Sequence, residues 1–234
     1  MNELLLVATA LLSVSLVLAG WKLGKERLYS VIIVFLILIA TVGGKIVPFF
    51  GYETNTGNIF YASVFLATYF LIERFGRREG IYSIWVGVIA VLFFSVLAQI
   101  TVALTGSQTT ASLNDALAIA FGPVSRITFA SLCAYTLSQS LNVYLYLLLK
   151  KRTRGTYLWL RANISNALAQ LLDSAVFFTI AFWGVVPFSG VSGIIFTSLV
   201  IKVVYMMLAS PLLYLNKVEE EKDLKGDTIL TLRY

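Results

Sequence analysis

The stretch NISNALAQLLDSAVFF, residues 163–178, carries Asn163, Asn166, Gln170 and Asp173 at steps of three and four. At about 100° per residue on a helix, these four fall within a sector of about 80°. Their chemistry is hydrogen bonding and charge pairing, because amides donate and accept while a carboxylate accepts only. A second stretch repeats the pattern with Tyr135, Gln139, Asn142 and Tyr146, and a third places Tyr69 four residues before Glu73. Bond-making chemistry finds little support. The 234 residues include no histidine and one cysteine, Cys133. That excludes Ser-His-Asp and Cys-His catalysis, histidine metal sites and any intrachain disulfide. No GxxxxGK[ST] loop is present, and Gly43-Gly44-Lys45 lacks the spacing of one. No paired DxxD metal site is present either. The chain therefore reads as a non-enzyme with no cofactor and no metal.

The elements that position these residues are apolar. Hydrophobic residues make up 59% of the chain and charged ones 13%, with a mean hydropathy of +0.85. A soluble domain carries about 25% charged residues. The class is all-α, a polytopic transmembrane helix bundle. Runs long enough to cross a bilayer fall at 3–20, 29–50, 57–74, 80–105, 123–149, 157–185 and 190–215. They form one transmembrane domain over 1–216, followed by a charged tail at 217–234 predicted to be cytoplasmic. The run Leu4–Leu18 lacks the positive start and clear cleavage site of a signal peptide, so it reads as a retained span. The outer loop 107–121 holds an ALAIAF run too short to cross, suited to an interfacial helix or a re-entrant flap.

The net charge of +6 does not imply nucleic acid. Fourteen of the 18 Lys and Arg fall in four groups, at 22–27, 74–78, 150–154 and 217–233. These follow the first, third, fifth and seventh spans, whereas the connections 51–56 and 105–122 hold only Glu53 and Asp115 as charges. The positive-inside rule then places the N-terminus outside and the C-terminus in the cytoplasm of a multi-pass plasma-membrane protein.

Against that topology, Lys45, Glu73, Arg161, Asp173 and Lys202 all fall within spans. A charge at the bilayer centre costs about 2.5–3.5 kcal/mol on insertion scales. If the three polar faces converge, they line a polar pocket inside the bilayer. Other readings stay open: the amides as interhelical bonds, Asp173 as a structural ion pair with Lys45 or Lys202, Arg161 as a headgroup anchor, and Glu73 paired with Arg74 or Arg77. The Gly43-Gly44 pair before Pro48 can break the second span.

Four segments then carry a resemblance: FLATYFLIERFG (65–76), ASLCAYTLSQSLNVYLY (130–146), LWLRANISNALAQLLDSAVFFTIAFWG (158–184) and IKVVYMMLASPLLY (201–214). In order and spacing the chain resembles the queuosine-precursor transporter family, also called the vitamin-uptake-transporter-like family. The likeness covers about residues 40–215. It implies six family-like helices over 29–216, with the span and loop at 1–28 as an N-terminal addition. It also implies import of a 7-deazaguanine base, in the 7-cyano or 7-aminomethyl form. The family's polar positions correspond to Lys45, Glu73, Gln139, Arg161, Asn163, Ser165, Gln170, Asp173 and Lys202. Two departures stand out: Tyr69 and Asn142 occupy positions where members often carry Asp. Losing two carboxylates favours the neutral cyano base.

On that resemblance, Asp173 is expected to accept the paired N–H groups of a guanine-like edge, with Gln170 or Asn142 donating to its carbonyl. Tyr69, Tyr135 or Phe177 would stack on the base. The expected partners are the nucleobase and membrane lipid, with a homo-oligomer or a separate energising module left open. Rival readings are a substrate-binding subunit of a multi-component uptake system, a structural membrane subunit and an intramembrane lipid enzyme.

Overall fold

The computed structural model describes residues 1–121, 124–182 and 188–216. The elements in order are α1 (Asn2–Leu23), α2 (Lys25–Thr41), β1 (Ile46–Phe49), β2 (Tyr52–Asn55), α3 (Gly57–Phe75), α4 (Arg77–Ala103), α5 (Ala111–Phe121), α6 (Val124–Arg152), α7 (Leu158–Phe182) and α8 (Phe188–Ala209). A short 3-10 turn over Ser210–Tyr214 follows α8. The tail 217–234 lies outside the described residues. Five helices, α1, α4, α6, α7 and α8, are long and apolar enough to cross a membrane. The chain is thus a helical bundle of the membrane-spanning kind, with one short hairpin.

α3 is the centre of that bundle. Fifteen of its 19 residues are buried, and α1, α2, α4 and α8 all pack on it. This position explains how α3 carries Asn58, Tyr61, Ser63, Thr68 and Tyr69. Its polar side chains meet other helices rather than lipid, so it does not need the uniform hydropathy of a lipid-facing span. α4 is the opposite case. Only five of its 27 residues are buried, and Trp85, Phe93 and Leu97 are exposed, as lipid contact requires.

The second span corrects the expectation of a helix over 29–50. α2 stops at Thr41, and Gly43 and Lys45 close a turn through Gly43 N–H to Leu38 O at 3.0 Å and Lys45 N–H to Val42 O at 3.3 Å. Pro48 cannot extend a helix whose carbonyls lie behind it. The chain instead forms an antiparallel hairpin pairing Ile46 with Asn55 and Phe49 with Tyr52. Its tip, Phe50 at φ 48° and Gly51 at φ 81°, has the positive φ pair of a tight type I′ turn. Gly57 then returns against Gly43, its N–H bonding Gly43 O at 3.0 Å. A Cβ on Gly57 would lie 3.0 Å from the Gly43 Cα, so this close approach of two backbones requires glycine.

The basic groups at 22–27, 74–78 and 150–154 gather at the opposite end from the hairpin. There the Trp21 indole donates to Asn216 Oδ1 at 2.6 Å, and Arg74 donates to Trp21 O at 2.9 Å. Lys25 pairs with Glu79 at 3.3 Å, which also accepts from the Tyr29 hydroxyl. α1 is thus docked at its end as well as along its length, with Trp21 against Phe70 at 5.3 Å between ring centres. The outer segment α5 has no buried residue. It rests on α4, where the Gln99 amide donates to Phe121 O at 2.5 Å. It therefore lies outside the bundle rather than folding into it as a flap.

Candidate functional site

The polar residues of α3, α6 and α7 form three tiers. Tyr61, Tyr69 and Glu73 lie on one face of α3 and span about 18 Å of its axis. In the tier nearer the hairpin, Tyr61 donates its hydroxyl to Asp173 Oδ1 at 2.5 Å, and Ser138 donates to the same oxygen at 3.4 Å. Asp173 Oδ2 pairs with Lys202 Nζ of α8 at 3.3 Å. The ammonium also sits 4.4 Å from the centre of the Tyr61 ring, a cation–π contact. Asp173 and Lys202 are both 8% exposed. Of the ion pairs open to Asp173 from sequence, the one present is with Lys202. Lys45 is exposed at the mouth of the hairpin and is not brought to the seam, because it lies in the turn after α2, a helix that packs on α1, α3 and α4.

The middle tier is neutral. The Tyr69 hydroxyl lies 2.6 Å from Asn142 Oδ1, 2.9 Å from Ser165 Oγ and 3.0 Å from Ala162 O. Asn142 donates to Gln139 Oε1 at 3.1 Å, and Gln139 to Thr68 Oγ1 at 3.4 Å. The Tyr69 ring stacks on Tyr146 with centres 4.5 Å apart and planes at 23°. Tyr69 is therefore already stacked, contrary to its expected role as an open platform for a base. Tyr135 meets Tyr61 edge-on at 6.3 Å and keeps a buried hydroxyl without a partner. Phe177 meets Phe178 edge-on at 5.3 Å.

The tier at the basic end is charged. Glu73 accepts from Arg161 Nη2 at 2.7 Å and from Lys150 Nζ at 3.0 Å. Arg161 is 1% exposed, donates also to Gly155 O at 2.9 Å and lies 5.1 Å from the Tyr146 ring centre. This burial corrects the headgroup-anchor reading of Arg161. It likewise replaces Arg74 and Arg77 as partners of Glu73. A buried guanidinium needs its partner, since removing one member of such a pair strands the other charge.

The α7 stripe divides among these surroundings. Asn163 donates to Ser210 Oγ at 2.8 Å and to Trp159 O at 2.8 Å, tying α7 to the turn after α8. Gln170 donates to Asn166 Oδ1 at 3.4 Å. The remaining groups, Gln170 Oε1 and Asn166 Nδ2, are buried with no hydrogen-bond partner, as are Tyr135 Oη and Tyr146 Oη. Leaving such a group unpaired costs about 1–3 kcal/mol. A free carbonyl and a free amide N–H thus sit within two helical turns of Asp173.

Between α6 and α7 the polar faces meet directly only through Ser138 and Asp173 among the hydrogen bonds of the two upper tiers, and two tyrosines of α3 supply the further links. Tyr61 joins Ser138 to Asp173, and Tyr69 joins Asn142 to Ser165. Tyr61 was not singled out from sequence, although it stands eight residues before Tyr69 on the same α3 face. The step of four that linked Tyr69 to Glu73 would have reached it through Phe65. Ser138 and Thr68 were also missed; short hydroxyl residues bear no periodic mark among the many in this chain.

The family model described as “Putative vitamin uptake transporter” matches residues 55–216, from the end of the hairpin to the end of the described chain. A curated Bacillus subtilis (strain 168) protein, “Probable queuosine precursor transporter”, is 30% identical over 174 residues, which is 74% of this chain and 76% of that relative. No solved structure matches. The match covers every helix that builds the three tiers, while α1, α2 and β1 precede the family model. The chain belongs to the vitamin uptake transporter family, also called the queuosine-precursor transporter family, and the tiers lie in its family-like core.

Proposed function

We propose that this protein imports a 7-deazaguanine precursor base, preferably its neutral 7-cyano form, across the plasma membrane along the seam between α3, α6 and α7. The observation that carries this reading is the buried, unpartnered pair Gln170 Oε1 and Asn166 Nδ2 on the same helix face as Asp173. A guanine-like edge has the complementary groups, N–H donors beside a carbonyl. Both Asp173 oxygens are engaged, by Tyr61 and Ser138 on one side and Lys202 on the other. Binding therefore exchanges partners: Lys202 swings away and the base N–H groups take its place on the carboxylate. Glu73, Arg161 and Lys150 close the seam at the basic end, which faces the cytoplasm by the positive-inside rule. Transport requires that ion cluster to open.

The preference for the cyano base follows from charge. The middle tier of Tyr69, Asn142, Gln139 and Thr68 contains no ion, and both carboxylates in the seam are matched by cations. An aminomethyl ammonium finds no unmatched carboxylate there. The test is restored tRNA modification in cells that cannot make the precursor and are fed it, in a host lacking any separate energising module. Uptake of the cyano base above the aminomethyl base is expected; the reverse order rejects the preference. Asp173→Ala is expected to abolish uptake, and unchanged uptake and affinity in that variant would remove its proposed role.

A further inference from the structure

On the far side of α6 from the seam, a groove of about 410 Å³ runs between α4 and α6. Its lining on α6 extends from Thr136 to Lys151, fifteen residues or about 22 Å of helix. One leaflet of a bilayer, headgroup included, is about 20–22 Å thick. Apolar and aromatic side chains make most of the wall, among them Ile81, Trp85, Tyr144 and Leu148, and Trp85 and Tyr144 are 56% and 62% exposed. At the basic end Arg77 and Lys151 both line it. Neither has an ion pair among the described residues. The acid nearest in sequence to Arg77, Glu79, is held by Lys25 and Tyr29 of α2. The groove is thus apolar along a leaflet's depth, with two unmatched cations at headgroup level.

We propose that this groove is a binding site for one anionic phospholipid, with an acyl chain laid between α4 and α6 and its phosphate on Arg77 and Lys151. Charge complementarity selects this occupant. A second copy of the chain in a symmetric pair would bring the same cations to the same end, and the groove offers no acid to meet them. Each basic side chain near the surface favours anionic lipid by about fivefold, so two give a preference of about 25-fold over a zwitterionic lipid.

The test uses the full-length protein in vesicles of phosphatidylcholine with brominated phosphatidylglycerol or brominated phosphatidylcholine as probe. Trp85 quenching is read as the difference between the native protein and Trp85→Phe. Stronger quenching by the brominated phosphatidylglycerol is expected, falling to the phosphatidylcholine level in Arg77→Gln/Lys151→Gln. Both substituted residues are exposed, so the double variant should fold; its thermal unfolding in detergent checks this. Equal quenching by the two lipids in the native protein would overturn the proposal. So would a selectivity that survives in the folded double variant. Ser140→Phe, which fills the groove without adding an indole, should reduce quenching of Trp85 by the anionic lipid; a changed oligomeric state with unchanged quenching assigns the groove to a second copy instead.

Discussion

At the scale of the residue, two tyrosines of α3 decide how the polar faces meet. Tyr61 and Tyr69 each place one phenolic oxygen between α6 and α7. A phenol both donates and accepts, and its ring fills space that an amide cannot. Tyr69→Phe keeps the ring stack on Tyr146 but strands Asn142 Oδ1 in a buried site. A loss of about 1–3 kcal/mol is expected, measurable as a lowered thermal midpoint in detergent; an unchanged midpoint would show that the hydroxyl adds nothing net. The stripe on α7 was fully legible in the sequence, because a 3.6-residue period is a local property. Its partners were not. Asn163 bonds the turn after α8, Gln170 bonds Asn166, and only Asp173 reaches α3 and α8. Residues within an 80° sector still meet different neighbours at different depths.

At the scale of the element, the ion cluster at the basic end fastens three helices. Glu73 of α3 receives Lys150 of α6 and Arg161 of α7. Glu73→Ala leaves Arg161 buried without its acid, and breaking a buried pair in this way costs about 3–5 kcal/mol. The expected result is a marked drop in thermal stability, larger than that of Lys150→Ala, whose side chain is 37% exposed. Equal effects of the two substitutions would refute the assignment of Arg161 as the dominant partner. The α2–hairpin boundary shows the limits of reading elements from hydropathy. Ile46, Val47, Phe49 and Phe50 are apolar and extend the second run to about 50, yet Gly43, Gly44 and Pro48 end the helix first. Hydropathy measures whether a segment can lie in lipid, and says nothing of whether its backbone stays helical. α3 shows the converse: its polar residues weaken the apolar signal because it is the helix most enclosed by others.

For the whole molecule, the arrangement of charge predicts its orientation. The groups around 22–27, 74–78 and 150–154 share one end of the bundle, joined through the Lys25–Glu79 and Lys150–Glu73 pairs and the Arg74 contact to Trp21. The hairpin occupies the other end, with Glu53 exposed. In a Cys133→Ser background, Glu53→Cys is expected to react with a membrane-impermeant maleimide in intact cells, and Thr156→Cys only after permeabilisation. The opposite pattern would invert the proposed topology. The sequence by itself determined that this is a helical membrane bundle, where most spans fall, which end carries the cations and which helix faces are polar. These follow from composition and period, which each segment carries alone. Only the tertiary structure decided that Asp173 pairs with Lys202 rather than Lys45, that Arg161 is buried on Glu73, and that Tyr61 and Tyr69 bridge the faces. Pairing depends on how far each helix is rotated and shifted against its neighbours, and that is set by packing of the whole bundle at once.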